Sequence, residues 1–250
     1  MKLLALDAAT DWCSVALWNE GALLEQESRA ERGHGDQLLA MIDGLLGQSG
    51  LALGGLDAIA FGCGPGAFTG LRLAASVTQG LAYSAGLPVI PISDLRALAE
   101  RTLCGAAAGA RALVCHDARM GEVYWSGYTA IDGHAAAATA ECVDRPEAML
   151  ASAQAWLDVL PPATAATGTS TTAGTRANTV AGVGSGFCVY PALAALAARL
   201  TPVLAEARPR AAEIAKLAAH DGLRAALPAD RAWPVYVRNT VAVATAARSG

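Results

Sequence analysis

The stretch KLLALDAATDWCSVALWNEGALLEQES, residues 2–28, decides the fold. It opens on an apolar run that ends in Asp7, the pattern of a buried strand. WCSVALW (12–18) partly alternates, and residues 21–28 alternate again after an Asn-Glu-Gly turn. Strand, turn, strand, turn, strand is most simply an antiparallel meander. Working outward, residues 34–46 carry Leu38, Met41, Ile42 and Leu45 at helical spacing, with Leu39 and Leu46 widening the face. Residues 56–61 read as a fourth strand. The loop GCGPGAFTG then runs into a helix over about 69–85. A fifth strand follows at 88–92 and a helix at 94–103, with Ser93 placed to cap it.

The second half begins like the first. Residues 112–116 are an apolar run ending in Asp117, followed by a turn, a strand over 122–131 and a short strand over 135–143. Placing Asp117 over Asp7 superposes two strand–Asp–Ala–turn–strand units at an offset of 110 residues, a repeat of pattern rather than of residue identity. Helices are expected at 146–157, 191–200 and 211–227, and a strand at 179–184 leading into GVGSGF. The Thr-rich stretch 161–177 reads as a mobile loop and 233–238 as an extended tail. This order implies an α/β protein of two ribonuclease-H-like lobes, mixed sheets flanked by helices, as in actin, Hsp70 and the sugar kinases. The first lobe spans 1–106 and the second 107–208, and a helix over about 209–227 is expected to pack back on the first.

Composition narrows the function. Of 250 residues, 54% are hydrophobic and 16% charged, which excludes a disordered, collagen-like or coiled-coil chain. A net charge of −4 gives no electrostatic footprint for gripping nucleic acid unaided. The uncharged stretches 73–93 and 177–198 are broken by glycine, proline and polar residues, so no bilayer span is expected. The apolar run at the N-terminus is too short for a secretory signal, and a cytoplasmic location is expected. The six cysteines form no CxxC pair and read as reduced and mostly buried. No two of the four histidines lie at i, i+4, so neither a metal site nor a zinc or iron enzyme is expected.

Some residues could carry chemistry. Asp7 and Thr10, in DAAT, stand where a phosphate-binding turn belongs in the first lobe; Asp117 and Arg119, in DARM, stand at its equivalent in the second. A working turn needs glycine so that backbone N–H groups can close on an anion. Here alanines, Arg119 and Met120 crowd the position. The alternatives are a nucleotide-dependent phosphotransferase or ATPase, or an inherited turn in which Asp7 and Thr10 bond the local backbone. GCGPGAFTGLR lacks the GK[ST] ending of a P-loop. The helix after it has Gly70, Ala74, Thr78 and Ala82 four residues apart. With Leu73, Val77 and Leu81 assigned to the lobe's own core, that stripe is free to admit a helix of a second chain. The broad apolar face over 34–46 points the same way. GVGSGF is an adenine-side loop or a plain turn. No Gly-x-Ser-x-Gly elbow occurs, and no catalytic set follows from spacing.

LLALDAATDWCSVALW, HGDQLLAMIDGLL, LDAIAFGCGPGAFTGLRLAASVTQGLA and DARMGEVYW, in this order, resemble the bacterial TsaB (YeaZ) family; WPVYVR is similar to its closing segment. The resemblance covers nearly the whole chain and is best over residues 1–125. It implies the two-lobed actin/Hsp70-like fold and a role in making threonylcarbamoyladenosine beside the tRNA anticodon. It implies no catalysis by this chain, which would support a TsaD-type transferase paralogue together with a TsaE-type ATPase and meet tRNA only through the complex. It places the contacts on the first two helices: His34, Gln37, Leu38, Met41, Ile42 and Leu45 on one, and Gly66, Thr69, Gly70, Arg72, Ala74, Thr78 and Ala82 on or before the other. A homodimer through the same surface, and a nucleotide at the joint with a partner, stay open. Arg72 is read either as a bridge to a partner or as a solvated charge. Ala74→Trp is expected to block pairing without unfolding the chain. Two positions depart from the family pattern: Gly35-Asp36-Gln37 follows His34 where Ser-Gln is usual, and Ala67 stands where Ser is usual.

Overall fold

The computed structural model describes residues 1–29, 34–159 and 179–237. The Thr-rich stretch 161–177 and Arg238, the last residue of the expected tail, lie outside the described residues, as does the side chain of His34. In chain order the strands are β1 (Lys2–Asp7), β2 (Trp12–Asn19), β3 (Ala22–Arg29), β4 (Ala58–Gly64), β5 (Val89–Ser93), β6 (Arg111–Asp117), β7 (Val123–Ile131), β8 (His134–Ala137), β9 (Cys142–Asp144), β10 (Val180–Val183) and β11 (Val203–Leu204). The helices are α1 (His34–Ser49), α2 (Phe68–Ala85), α3 (Asp94–Leu103), α4 (Pro146–Asp158), α5 (Gly186–Val189), α6 (Ala194–Ala197) and α7 (Ala211–Asp221).

The first sheet runs β3-β2-β1-β4-β5 and the second β11-β10-β6-β7-β8, with β9 beside β7. In both, the first three strands are antiparallel and the last two lie parallel to the first. The two orders are therefore the same topology used twice, and Asp7 and Asp117 close the first strand of each.

Alternation along the strands sorts side chains by size. On β1, β2 and β4, Leu4, Leu6, Val15, Leu17, Ile59 and Phe61 face α1 and α2, while Ala5, Ala16, Ala58 and Ala60 face the other way. Each large side chain removed from water contributes roughly 1.5–3 kcal/mol, so the α1/α2 side is the apolar anchor of the first lobe. The alanine side lets helices approach closely. α7 lies there against β1 and β2, and its first N–H donates to Ser14 Oγ at 2.9 Å. α3 lies beside α7 but packs chiefly on β6 and β8. The layers thus run α1/α2, first sheet, α7/α3, second sheet, then α4 with α5 and α6. One core of Leu3, Ile90, Leu98, Val114, Tyr128 and Ile214 is continuous between the sheets.

Three elements differ from the expected ones. The single strand over 135–143 is two strands, because five steps from Ala137 to Cys142 oppose three from Tyr128 to Trp125. The excess bulges out and is held where Ala138 and Thr139 N–H both donate to the Gly127 carbonyl. The helix over 211–227 stops at Asp221, since Gly222 takes φ +68° and turns the chain into a 3₁₀ turn. The helix over 191–200 is a 3₁₀ turn followed by the four residues of α6.

Candidate functional site

The ends of β1 and β6 face one another across a cleft of about 340 Å³, lined by Thr10, Trp12, His116, Asp117, Arg119 and Arg208 among others. Both candidate turns open onto it. In the first, Asp7 Oδ1 accepts the Ala9 N–H at 3.0 Å and Thr10 Oγ1 accepts the Trp12 N–H at 3.1 Å. These are the local backbone bonds of an inherited turn. The glycine loop then closes on it from outside. Ala67 N–H donates to the Ala9 carbonyl at 2.8 Å, a Cβ on Gly66 would lie 2.7 Å from that of Ala9, and one on Gly70 would overlap the Ala8 carbonyl oxygen. The first turn is filled by its own chain.

Beneath it lies a buried acid pair. Asp7 and Asp94 are both essentially unexposed, and a Cβ on Gly62 would strike an oxygen of each. Burial raises both carboxyls. Asp94 rises well above its ordinary value, pushed further by the charge of Asp7, and its Oδ2 accepts the Gly64 N–H at 2.6 Å. The pair is sealed from the cleft by the loop, which fits a structural part.

The second turn is more open. Asp117 Oδ1 accepts the Arg119 N–H at 2.9 Å and the Tyr190 hydroxyl at 2.7 Å. Arg119 and Met120 take φ +61° and +57°, and the Arg119 guanidinium lies between Asp117 at 3.8 Å and Asp11 across the cleft at 3.5 Å. Here tertiary structure joins groups that no spacing rule connects: Ser185 Oγ accepts the Asp117 N–H at 3.1 Å and sits 3.1 Å from His116 Nδ1. Burial lowers the imidazole pKa to about 4 and keeps the ring neutral. Among the described residues no hydrogen bond joins the Asp117 carboxylate to His116, so the serine, histidine and aspartate do not form a proton relay.

The outer face of the first lobe corrects the expected contact set. Leu38, Met41, Ile42 and Leu45 are buried against Leu17 and Ile59 in their own core. Gly70, Ala74, Thr78 and Ala82 are buried too, facing the first sheet. The reason is volume. The sheet offers its large side chains on this side, so the helix must offer small ones, and Gly70 must pass a carbonyl at a distance only glycine permits. Leu73, Val77 and Leu81, assigned to the core from their size, are half-buried flanks instead. Ala74→Trp would consequently disrupt the core. Gly66 packs on Ala9, and Gln37 is half-buried beside the Cys13 thiol. Of the expected contact residues, Thr69 and Arg72 are exposed.

What that face presents is a different set. Leu39, Phe68 and Tyr83 point outward, the last 81% exposed. The tail returns beside α2, with Val235 N–H donating to the Cys63 carbonyl at 2.6 Å. Tyr236 stacks on Phe68 at 5.4 Å, and Arg72 lies 3.8 Å above the Phe68 ring while its Nε donates to the Tyr236 hydroxyl. Arg72 is therefore engaged by its own chain. A second hollow of about 340 Å³ lies between α2 and the tail, bounded by Arg72, Ser76, Trp233 and Tyr236. The aromatic residues of this face are ones sequence spacing did not single out, because their cluster forms only when residues 68 and 236 meet.

A family model described as TsaD, tRNA N6-adenosine threonylcarbamoyltransferase, matches residues 26–244. Two curated relatives are each called tRNA threonylcarbamoyladenosine biosynthesis protein TsaB. That of Escherichia coli is 44% identical over 51% of this chain and that of Haemophilus influenzae 48% over 50%. The chain spans about half the length of these relatives, 55% and 53%. Among solved structures, a Pseudomonas aeruginosa protein described as uncharacterised with similarity to peptidase YeaZ is 37% identical, with TM-score 0.73, over 95% of this chain and 99% of that one. YeaZ from the same organism is 36% identical, with TM-score 0.70, over 94% and 99%. No described helix is long and apolar enough to cross a membrane.

Proposed function

The chain belongs to the TsaB/YeaZ family, and from that premise we propose that it is the accessory, non-catalytic subunit of a cytoplasmic assembly that makes threonylcarbamoyladenosine in tRNA. In this reading it binds a TsaD-type transferase and holds it in its active arrangement. A TsaE-type ATPase joins the assembly, and tRNA is met only through the complex. The observation that carries the reading is the filled first turn. The Ala9 N–H, which a phosphotransferase would aim at a phosphate, is committed to Asp7 Oδ1, and Ala67 and the close pass of Gly70 cover the backbone around it. The Ser185–His116 contact lacks an acid behind the ring and carries an imidazole too weakly basic to activate a hydroxyl well.

The docking face in this proposal is the outward side of α1 and α2 with the tail, through Leu39, Phe68, Tyr83 and Trp233, rather than the buried stripe. Aromatic side chains around an arginine already held by Phe68 and Tyr236 suit an interface of this kind. The test is reconstitution. The purified chain, its own transferase paralogue and the ATPase should together modify tRNA, and omitting this chain should abolish the product. Leu39→Glu with Tyr83→Glu should lose co-elution with the transferase while retaining the melting temperature of the parent. Undiminished modification without the chain would refute the accessory role. Stoichiometric ATP binding with turnover by the chain alone would favour the phosphotransferase that the cleft otherwise resembles.

A further inference from the structure

A second cluster lies far from the cleft, where the two sheets meet through α3, α7 and β8. Arg96 and Glu100 lie at i, i+4 on α3, and Cys104 follows four residues on as the residue that ends the helix. The first two clamp the same residue of β8: Arg96 Nε donates to the Ala135 carbonyl at 2.7 Å, and Glu100 Oε2 accepts the Ala135 N–H at 2.8 Å. Arg96 also forms a two-pronged ion pair with Asp221 at the end of α7, at 2.6 and 2.9 Å. Glu100 is fully buried, and its Oε1 lies 2.6 Å from His134 Nδ1. The His220 ring stacks on His134 at 4.2 Å. Gly105 N–H donates to the Gly133 carbonyl at 2.8 Å, which pins the segment carrying Cys104 to the segment carrying His134.

We infer that Glu100, Cys104 and His134 form a site for a divalent ion of the zinc or cobalt class. Their ligand atoms all lie within 4.8 Å of one another, on segments fixed by the contacts above. A carboxylate oxygen, an imidazole nitrogen and a thiolate suit such an ion; magnesium and calcium take oxygen ligands. With ligand bonds of roughly 2.0–2.3 Å, the hydrogen-bonded Glu100–His134 pair opens by about half an ångström to admit it. On binding, the Cys104 thiol gives its proton to solvent, the metal replaces the Nδ1 proton of His134, and that proton is carried on Nε2. The remaining position goes to water or to the neighbouring His220. Placed where α3, β8 and α7 converge, the ion would fasten the two sheets together; this is a structural role, independent of the proposed docking.

The probe is cobalt(II) added to the full-length chain after chelation. The expected result is a thiolate-to-cobalt charge-transfer band saturating at one equivalent, absent in Cys104→Ser and at least tenfold weaker in affinity in His134→Ala. Cys188→Ser, altering the other exposed cysteine among the described residues, should keep the band. Zinc at a hundredfold excess over its Kd should raise the melting temperature of the parent by about 5–10 °C and leave Cys104→Ser unmoved. Circular dichroism of the metal-free variants checks that each folds. No band with the parent, or an equal band with Cys104→Ser, overturns the proposal and reduces the cluster to a hydrogen-bond clamp on buried Glu100.

Discussion

The two lobes start alike and end differently. Each closes its first strand on an aspartate whose Oδ1 accepts the N–H two residues on, and each ends the strand that lies parallel beside its first near a glycine with φ close to +114°, Gly64 at +115° and Gly184 at +113°. After Gly64 the chain makes a tight loop into the 18-residue α2, which seats on the first turn and seals Asp7 inside. After Gly184 it makes only the four residues of α5, and Asp117 stays at the cleft. The same topology therefore yields a plugged turn and an open one. What decides is the element that follows β4 in one lobe and β10 in the other.

Breaking the plug should have the largest effect. Gly70→Ala forces a methyl into the Ala8 carbonyl, and we expect a loss of about 3 kcal/mol or more, read by urea denaturation. The methyl of the counterpart Gly186→Ala would lie 2.5 Å from the Cys115 sulfur and 2.9 Å from its carbonyl oxygen, a lesser overlap than the one at Gly70, and should cost about 1–3 kcal/mol. Equal losses would mean the two turns are packed alike.

The two turns should also titrate with opposite sign. His116 has a folded pKa near 4, below its unfolded value of about 6.5, so the unfolded chain binds the extra proton. Stability should fall by about 3 kcal/mol as the pH drops from about 6.5 to 4, and His116→Asn should flatten that slope. Asp94 has a folded pKa well above its unfolded value, so here the folded chain keeps the proton. Stability should decline as pH rises from about 4 toward the folded pKa, and Asp94→Asn, which carries no titrating proton and can still accept from Gly64, should remove the decline. Thermal melts across pH read both.

The smallest effect tests the inward stripe. Thr78 Oγ1 is buried without a hydrogen-bond partner, so Thr78→Val should raise stability by about 1 kcal/mol. Were the stripe outward, as its small residues alone suggest, the change would be neutral.

Much of this was readable in advance. The meander of residues 2–28, the Asp7/Asp117 repeat and the helices α1 to α4 follow from period and turn residues, which are local properties. Which side of α2 is buried was not readable. Small residues at every fourth position fit an inward or an outward face equally, and the decision belongs to the strands beneath, which present Leu4, Leu6, Ile59 and Phe61. The cluster of Glu100, Cys104 and His134 was missed for a related reason. A search for paired histidines on one helix cannot find ligands drawn from a helix and a strand that meet across the lobes.

The amino-acid order by itself determined the strands and main helices, the doubled topology and the absence of glycine directly after Asp7 and Asp117, because each is set by side chains a few residues apart. Only the tertiary structure decided which side of α2 is covered, that residues 68, 72 and 236 form one exposed cluster, and that the two halves exchange neighbours through α3 and α7. Those outcomes depend on complementary volume and reach between elements that meet only in the folded chain, and no local pattern carries that information.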